Sequence, residues 1–361
     1  MIRFLNLLFI TLFLTACACN KPKNQDLDFI YQTIVDNHPG IYNKQDPDFR
    51  HNHEVAYSKA QRALCKNTDI NKEKQIIKTF ANSFNDSHLW VSYYSDQTEN
   101  SPLKKKSENF EINYLNKQVV WLTLPTFDLD KKQQQDFNKI LKELPDLRNK
   151  QLIVFDLRGN EGGNSEYGSK IVNSLFGKKY AQQRRYMIRK NIFVDWRVSQ
   201  DNLKHMHLAY ERYKSPWIKD IIEGLKEGLQ HGRTYYKEAS TEDLSERNTK
   251  NLTHFVTAKI IVIIDSGNFS AALNFIDELK MMGPEIRLVG EKTKTDRLYM
   301  EARNVDLPSG LGRFTFPIKV YRNRLREDNV PYEPDVKYDV TDQKKLEKFI
   351  MDIENKYKNL K

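Results

Sequence analysis

The chain has 361 residues, of which 39% are hydrophobic and 29% are charged. This composition supplies enough apolar side chains for a folded core, and the length allows about two domains or one large domain with insertions. The low content of glycine (14) and proline (12) excludes collagen-like and low-complexity chains. A mean hydropathy of -0.70 excludes a polytopic membrane protein. The formal charge of +10 is spread along the chain, which favours an anionic lipid surface or an acidic wall polymer over nucleic acid as a neighbour.

The N-terminal residues 1–16 have the features of an export signal. Arg3 precedes an apolar run at 4–14 that is too short to cross a bilayer, which requires about 20 residues. The run ends at 14–17 (LTAC), which resembles the lipobox of bacterial lipoproteins. This resemblance implies that Cys17 carries a lipid, and the alternative is an ordinary secretory signal with a chance cysteine.

The segment that follows is predicted to be a short tether, residues 17–25. Ala18 after the lipid-bearing Cys17 implies the outer membrane if the source is Gram-negative. Once Cys17 is acylated, Cys19 and Cys65 remain. A disulfide between them is compatible with an oxidising envelope, although one pair with a member in a tether is a weak indication.

The first part of the chain, residues 26–95, is predicted to be a helical subdomain. Apolar residues at helical spacing indicate three helices, ending in turn near His38, Leu64 and Phe84. A strand is predicted at 88–94. Further along, the pattern predicts strands at 110–114 and 119–124, an exposed loop at 96–108 and a helix at 131–145.

The next part has the pattern of a parallel α/β core, residues 108–345. Two continuous apolar runs, 151–156 and 259–265, read as strands buried on both faces, and each is followed by a turn and a helix. Between these units lies a predicted helical insertion, 177–257, which could cover a cleft or be a solvated excursion. A C-terminal helix is predicted at 346–361.

A serine stands at a chemically favourable position after the second buried strand. Ser270 begins a predicted helix, where free backbone N–H groups and the helix dipole stabilise negative charge. It could be a nucleophile, but serine is also a favoured N-cap. Two other features allow either a functional or a structural interpretation: the glycine-containing turn at 156–163 (DLRGNEGG) and the lone His88.

Together these segments resemble peptidase family S41, the carboxyl-terminal processing and tricorn-type serine proteases. The similar segments are 38–42 (HPGIY), 85–88 (NDSH), 156–163 (DLRGNEGG), 269–272 (FSAA), 290–293 (GEKT), 307–310 (LPSG) and 332–335 (YEPD). The glycine-containing turn is the most specific match. The resemblance covers about residues 26–340 and implies an α/β fold with a ClpP/crotonase-like core.

The resemblance also implies roles for particular residues. Ser270 would be the nucleophile. The N–H of Ala271 and an N–H from Gly162 or Gly163 would form the oxyanion hole, in which each donor can contribute about 3–4 kcal/mol. Asp156 would hold the turn rather than act chemically. No metal or organic cofactor is implied.

The general base is where the chain departs from the processing proteases. At 290–296 (GEKTKTD) it lacks the lysine of their Ser-Lys dyad. The tricorn-like branch uses a histidine, which His88 matches, with a late glutamate for which Glu327 is the candidate. Asp328 and Asp296 are its rivals. The interval between Tyr94 and residue 110 is also too short for a PDZ domain.

The sequence therefore predicts a membrane-anchored serine hydrolase of the bacterial cell envelope, with a peptide or protein as substrate. The alternative is a catalytically inactive lipoprotein of the same fold that binds peptides or cell-wall fragments. The missing dyad lysine and the open choice of third residue motivate this alternative. The net positive charge is compatible with both and predicts a salt-sensitive association with anionic lipid or wall polymer. The substrate and the oligomeric state are not predicted.

Overall fold

A computed structural model describes residues 24–67, 69–96, 109–238, 256–283 and 286–358, with side chains to residue 353. The predicted export signal, Cys17 and nearly all of the tether lie outside these ranges, as do most of the loop at 96–108 and part of the insertion. Cys65 is disulfide-bonded, and its partner cysteine also lies outside the described residues.

The helices and strands follow the predicted order, with additions in the insertion. The helices are α1 (Gln25–Asn37), α2 (Asp48–Cys65), α3 (Ile70–Asn82), α4 (Lys131–Glu143), α5 (Glu166–Phe176), α6 (Lys178–Arg189), α7 (Gln200–Tyr213), α8 (Pro216–Gln230), α9 (Ala271–Met281) and α10 (Gln343–Lys358). The strands are β1 (Trp90–Tyr93), β2 (Glu111–Tyr114), β3 (Val119–Thr123), β4 (Leu152–Asp156), β5 (Phe193–Arg197), β6 (Tyr235–Lys237), β7 (Lys259–Ile264), β8 (Ile286–Gly290), β9 (Tyr299–Asp306), β10 (Gly312–Arg322) and β11 (Val336–Lys337).

The first sheet confirms the predicted α/β class. Its strand order is β11-β8-β7-β4-β3-β2. All neighbouring pairs are parallel except β2 with β3. The two continuous apolar runs form the adjacent strands β4 and β7, which are buried on both faces because helices cover both sides of the sheet. Their carboxyl ends place two turns side by side, which is where ligands bind in open α/β sheets.

The second sheet is antiparallel and is built around the long strand β10. Strand β9 pairs with one edge of β10, and the other edge pairs with β1 at one end and with β5 at the other. Strand β6 extends the sheet beyond β5. The pairing of β1 with β10 connects the first quarter of the chain to its last quarter, and His88 lies two residues before β1.

The N-terminal helices and the insertion share one hydrophobic core. This core joins side chains from α1, α2 and α3 to others from α7, α8, β9 and β10, including Ile30, Phe80, Ile221 and Phe316. The insertion is not purely helical, because it contributes β5 and β6 to the second sheet. In the ranges described, every helix is too short or too polar to cross a membrane.

Candidate active site

The turn between β7 and α9 holds Ser270 in an unusual backbone conformation. Its φ is +55° and its ψ is -116°, a region that non-glycine residues rarely adopt. The side chain of Asn268 fixes this turn by accepting a hydrogen bond from the Asp265 N–H at 2.8 Å. Ser270 occupies the N-cap position of α9 but makes no side-chain capping bond. The strained turn therefore presents the hydroxyl to the cavity and away from the helix, as a nucleophile elbow does.

A histidine lies against this hydroxyl. His88 Nε2 is 3.2 Å from Ser270 Oγ, although the two residues are 182 positions apart. The ring of His88 is buried and packs on Phe269, with their ring centroids 4.6 Å apart. Burial lowers the pKa of His88, partly opposed by the negative charges of Asp86 and Asp296. The imidazole is thus neutral near pH 7 and can accept the hydroxyl proton.

The loop that carries His88 is held by two motifs from the sequence. Asp86 Oδ1 accepts a hydrogen bond from the His88 backbone N–H at 2.9 Å. Asp86 Oδ2 lies 3.7 Å from His38 Nε2, and His38 Nδ1 accepts the Gly40 N–H at 2.9 Å. Because Nδ1 is an acceptor, a neutral His38 carries its proton on Nε2, facing Asp86. The HPGIY and NDSH segments thereby fix the position of the histidine that faces the serine.

The fold does not place the expected glutamate next to the ring of His88. Glu327 is exposed and lines a separate cavity with Asp277 and Val330. The first rival, Asp328, forms a salt bridge to Arg297 at 3.2 Å. Among the described residues, neither carboxylate hydrogen-bonds the ring of His88.

The second rival, Asp296, has a more favourable position. It is fully buried, and its Oδ1 accepts hydrogen bonds from Arg324 at 2.9 Å and from Arg326. Its negative charge raises the pKa of His88. Within the described parts of the chain, Asp296 Oδ2 and His88 Nδ1 are both buried without a hydrogen-bond partner. Asp296 is therefore the buried carboxylate, besides Asp86, whose charge acts on His88.

Backbone N–H groups beside Ser270 are available to stabilise a negatively charged oxygen by donating hydrogen bonds. No hydrogen bond to another described residue uses the N–H of Gly163 or of Ala271, and both residues line the cavity at Ser270. The Gly162 N–H, in contrast, donates to Asn160 Oδ1 at 2.9 Å. Of the two glycines that the sequence left open, Gly163 is thus the one with an available donor.

Gly162 has a steric role at this site. Its φ is +97°, and a Cβ at this position would lie 2.8 Å from the Ala271 nitrogen and 2.9 Å from Ser270 Cβ. Only glycine permits so close an approach of the two turns. Asp156 holds the start of the same turn through Arg158, whose Nε donates to it at 2.9 Å. These residues shape the turn beside Ser270.

The two turns open into one cavity of about 640 Å³, called here the Ser270 cavity. Its lining residues are Ser87, His88, Trp90, Glu161, Gly163, Ser165, Phe269, Ser270, Ala271, Asn274, Lys294, Met300, Glu301, Ala302, Lys319 and Tyr321. One cavity thus contains a hydroxyl, a neutral imidazole and two backbone N–H groups that have no partner among the described residues. This arrangement can carry out nucleophilic attack on a carbonyl group.

The burial of His88 leads to a prediction about how the reaction rate of Ser270 depends on pH. The base must be neutral to accept a proton, and burial places its pKa below the usual value of about 6.5. We therefore expect the rate at which Ser270 reacts with a fluorophosphonate to be constant from pH 7 to 8. The rate should fall only as the pH drops below about 6.5. A rate that already declines between pH 8 and 7 would contradict a neutral buried base.

Comparison with known proteins identifies the class. The sequence profile of peptidase family S41 matches residues 118–340, which is more than half of the chain. The chain therefore belongs to peptidase family S41, and the predicted resemblance is confirmed. A sequence comparison with curated proteins returned no match.

The chain is also similar to solved structures. Mature CPAF aligns with a TM-score of 0.56 at 11% identity, over 92% of this chain and 97% of its own. A lipoprotein from Streptococcus agalactiae aligns with a TM-score of 0.46 at 15% identity, over 90% and 96% of the two chains. The photosystem II D1 C-terminal processing protease aligns with a TM-score of 0.30 at 16% identity, over 61% and 42%. The similarity to CPAF supports the α/β fold.

Proposed function

We propose that this protein is a serine peptidase of the cell envelope, with Ser270 as the nucleophile and His88 as the general base. The observation that carries the proposal is the 3.2 Å contact between His88 Nε2 and Ser270 Oγ. Membership of a peptidase family implies that the substrate is a peptide or a protein.

The proposed reaction follows from the positions of these groups. Ser270 Oγ attacks the scissile carbonyl carbon while His88 Nε2 takes its proton. The N–H groups of Ala271 and Gly163 receive the developing oxyanion. His88 then gives the proton to the leaving amine, and the same base activates the water that hydrolyses the acyl-enzyme.

We assign the third position to Asp296. A histidine base becomes positively charged during the reaction, and a buried carboxylate nearby stabilises that imidazolium. Asp296 is such a carboxylate, since it is fully buried and its negative charge, after that of Asp86, raises the pKa of His88. The salt bridges from Arg324 and Arg326 keep its carboxylate in place.

The test is labelling with a fluorophosphonate probe, which reacts with an activated serine hydroxyl. Wild-type protein should be labelled and the Ser270→Ala variant should not. Labelling that persists in Ser270→Ala would refute the assignment of the nucleophile.

The inactive binding protein remains a second candidate because His88 Nδ1 lacks a hydrogen-bond partner within the described chain. This candidate predicts that peptides bind without turnover and that Ser270→Ala retains their binding. An acyl adduct on the wild-type protein, seen by intact mass spectrometry, would exclude it.

We further propose that Cys17 anchors the protein to a bacterial membrane. The disulfide at Cys65 supports export, because disulfides persist in oxidising compartments. If Cys17 carries the lipid, the partner of Cys65 is Cys19, since the chain has three cysteines.

This anchor predicts the outcome of metabolic labelling with an alkyne fatty acid. Cells producing the wild-type protein should yield a labelled, membrane-bound product, and Cys17→Ala should abolish both properties. Peptide mapping without reduction should recover a Cys19–Cys65 crosslink. Recovery of a Cys17–Cys65 crosslink would contradict lipidation at Cys17.

A further inference from the structure

The charged lysine and glutamate side chains of the Ser270 cavity form two ion pairs, one of which is more deeply buried than the other. Glu161 pairs with Lys294 at 3.1 Å, with side chains 59% and 46% exposed. Glu301 pairs with Lys319, also at 3.1 Å, but the Lys319 side chain is 11% exposed and that of Glu301 is 36% exposed. The ammonium of the deeper pair is therefore largely withdrawn from the cavity, while its carboxylate remains accessible.

The strained backbone conformation at Glu301 directs its side chain toward the Ser270 cavity. Met300 and Ala302 pair with Lys319 and Pro317 and line the cavity. In a regular strand the residue between them would point to the opposite face of the sheet. Glu301 has a φ of +63° and lines the same cavity as its two neighbours. Strain of this kind persists where the surrounding structure enforces it, and such residues cluster at functional sites.

Lys319 is a fixed charge that secures Glu301. Its ammonium lies 4.8 Å and 5.4 Å from the ring centroids of Trp196 and Trp217. Glu238 accepts hydrogen bonds from both indole N–H groups at 2.8 Å. Burial alone would lower the pKa of Lys319, but the charge of Glu301, with further contributions from Tyr321 and Glu238, outweighs it, and the pKa lies above its usual value. The amine is thus protonated, so it cannot replace the missing dyad lysine as a base.

Glu301 consequently presents a carboxylate to the cavity, whereas the more exposed cation, Lys294, is paired with Glu161 at 3.1 Å. Glu301 Oε2 contacts Lys319, whereas its Oε1 has no hydrogen-bond partner among the described residues. The negative charge of Glu238 also acts on Lys319, because it raises the pKa of this lysine. A second cation entering the cavity would meet this unused acceptor.

We propose that Glu301 is a specificity-determining residue that selects peptides with lysine or arginine beside the scissile bond. The inference rests on the proposed peptidase activity and adds the substrate class. Charge-assisted hydrogen bonds of this kind change binding by about tenfold or more, so the preference should be measurable.

The test begins with digestion of a proteome-derived peptide library, in which mass spectrometry locates each cleaved bond. Wild-type protein should cleave bonds with a basic residue at one adjacent position. Peptides matched except for lysine or uncharged norleucine at that position then give kcat/KM ratios. Glu301→Gln should lower the lysine-to-norleucine ratio of kcat/KM about tenfold.

Two further variants test whether the lysine preference depends on Glu301 itself. Glu161→Gln removes the other glutamate of the cavity and should keep the lysine preference, because Glu161 is paired at the exposed rim. Lys319→Met leaves Glu301 without its internal partner and should raise the preference.

The results that would overturn the inference are specific. A lysine preference that survives Glu301→Gln, or that Glu161→Gln removes equally, refutes the role of Glu301. If the wild type is labelled by the fluorophosphonate but cleaves peptides without preferring basic residues, the role of Glu301 is also refuted. The peptidase proposal then remains intact. Absence of both labelling and cleavage contradicts the peptidase proposal itself, and this inference with it.

Discussion

Replacing Ser270 with alanine is expected to lower kcat for peptide hydrolysis by about 10⁴- to 10⁶-fold, because no other group at this point can form the acyl-enzyme. The fold should be unaffected. The Ser270 side chain makes no capping bond to α9, so its loss removes no helix hydrogen bond. The variant should therefore unfold at nearly the wild-type temperature while losing turnover.

A matched control for this prediction is Ser165→Ala. Ser165 also lines the Ser270 cavity, and it also occupies an N-cap position, that of α5, without a capping bond. Its removal should leave kcat within about threefold of wild type. Turnover that survives in Ser270→Ala, or that is lost to the same extent in Ser165→Ala, would contradict the role of Ser270. Thermal unfolding of all three proteins separates loss of activity from loss of structure.

Replacing Asp296 with asparagine is expected to have the second-largest effect, a decrease in kcat of about 10²- to 10⁴-fold. The carboxylate stabilises the charged form of His88, and asparagine cannot. Because Asp296 raises the pKa of His88, its removal should also lower that pKa further. The acidic limb of the kcat/KM profile should then move to lower pH, which a purely structural role would not produce.

Glu327→Gln is the control that distinguishes the alternatives for the third position. Glu327 is exposed and belongs to another cavity, so this variant should retain the wild-type rate and pH profile. A larger loss in Glu327→Gln than in Asp296→Asn would favour the glutamate and refute Asp296. Urea unfolding of Asp296→Asn should accompany the kinetics, because the change leaves Arg324 and Arg326 with less compensation in a buried site.

The parallel core could be predicted because its signals are local. Strands β4 and β7 are continuous apolar runs, and each is followed directly by a turn and a helix. The insertion was predicted to be helical, but α6 was not distinguished in it, because it follows α5 after the single residue Gly177 and its sequence (KKYAQQRRYMIR) has few apolar positions. Strands β5 and β6 were missed because they are short and largely half-buried.

The site was partly predictable because some of its signals are also local in the sequence. Ser270 and His88 belong to short motifs, and the structure brings their side chains together. The choice among Glu327, Asp328 and Asp296 depended on which carboxylate of the loops after β8 and β10 is buried near His88, and no local pattern reveals that. The ion pair of Glu301 and Lys319 was also missed, because it requires the pairing of β9 with β10 and a positive φ at Glu301.

The central claim is that Ser270, activated by His88, forms a covalent acyl intermediate. It is tested most directly by rapid mixing of the wild-type protein with an activated acyl ester, followed by intact mass spectrometry and peptide mapping. The account predicts a transient acyl adduct on the peptide that contains Ser270, and almost no adduct in His88→Ala. Hydrolysis of the ester with no adduct on Ser270, or with unchanged acylation in His88→Ala, would contradict it.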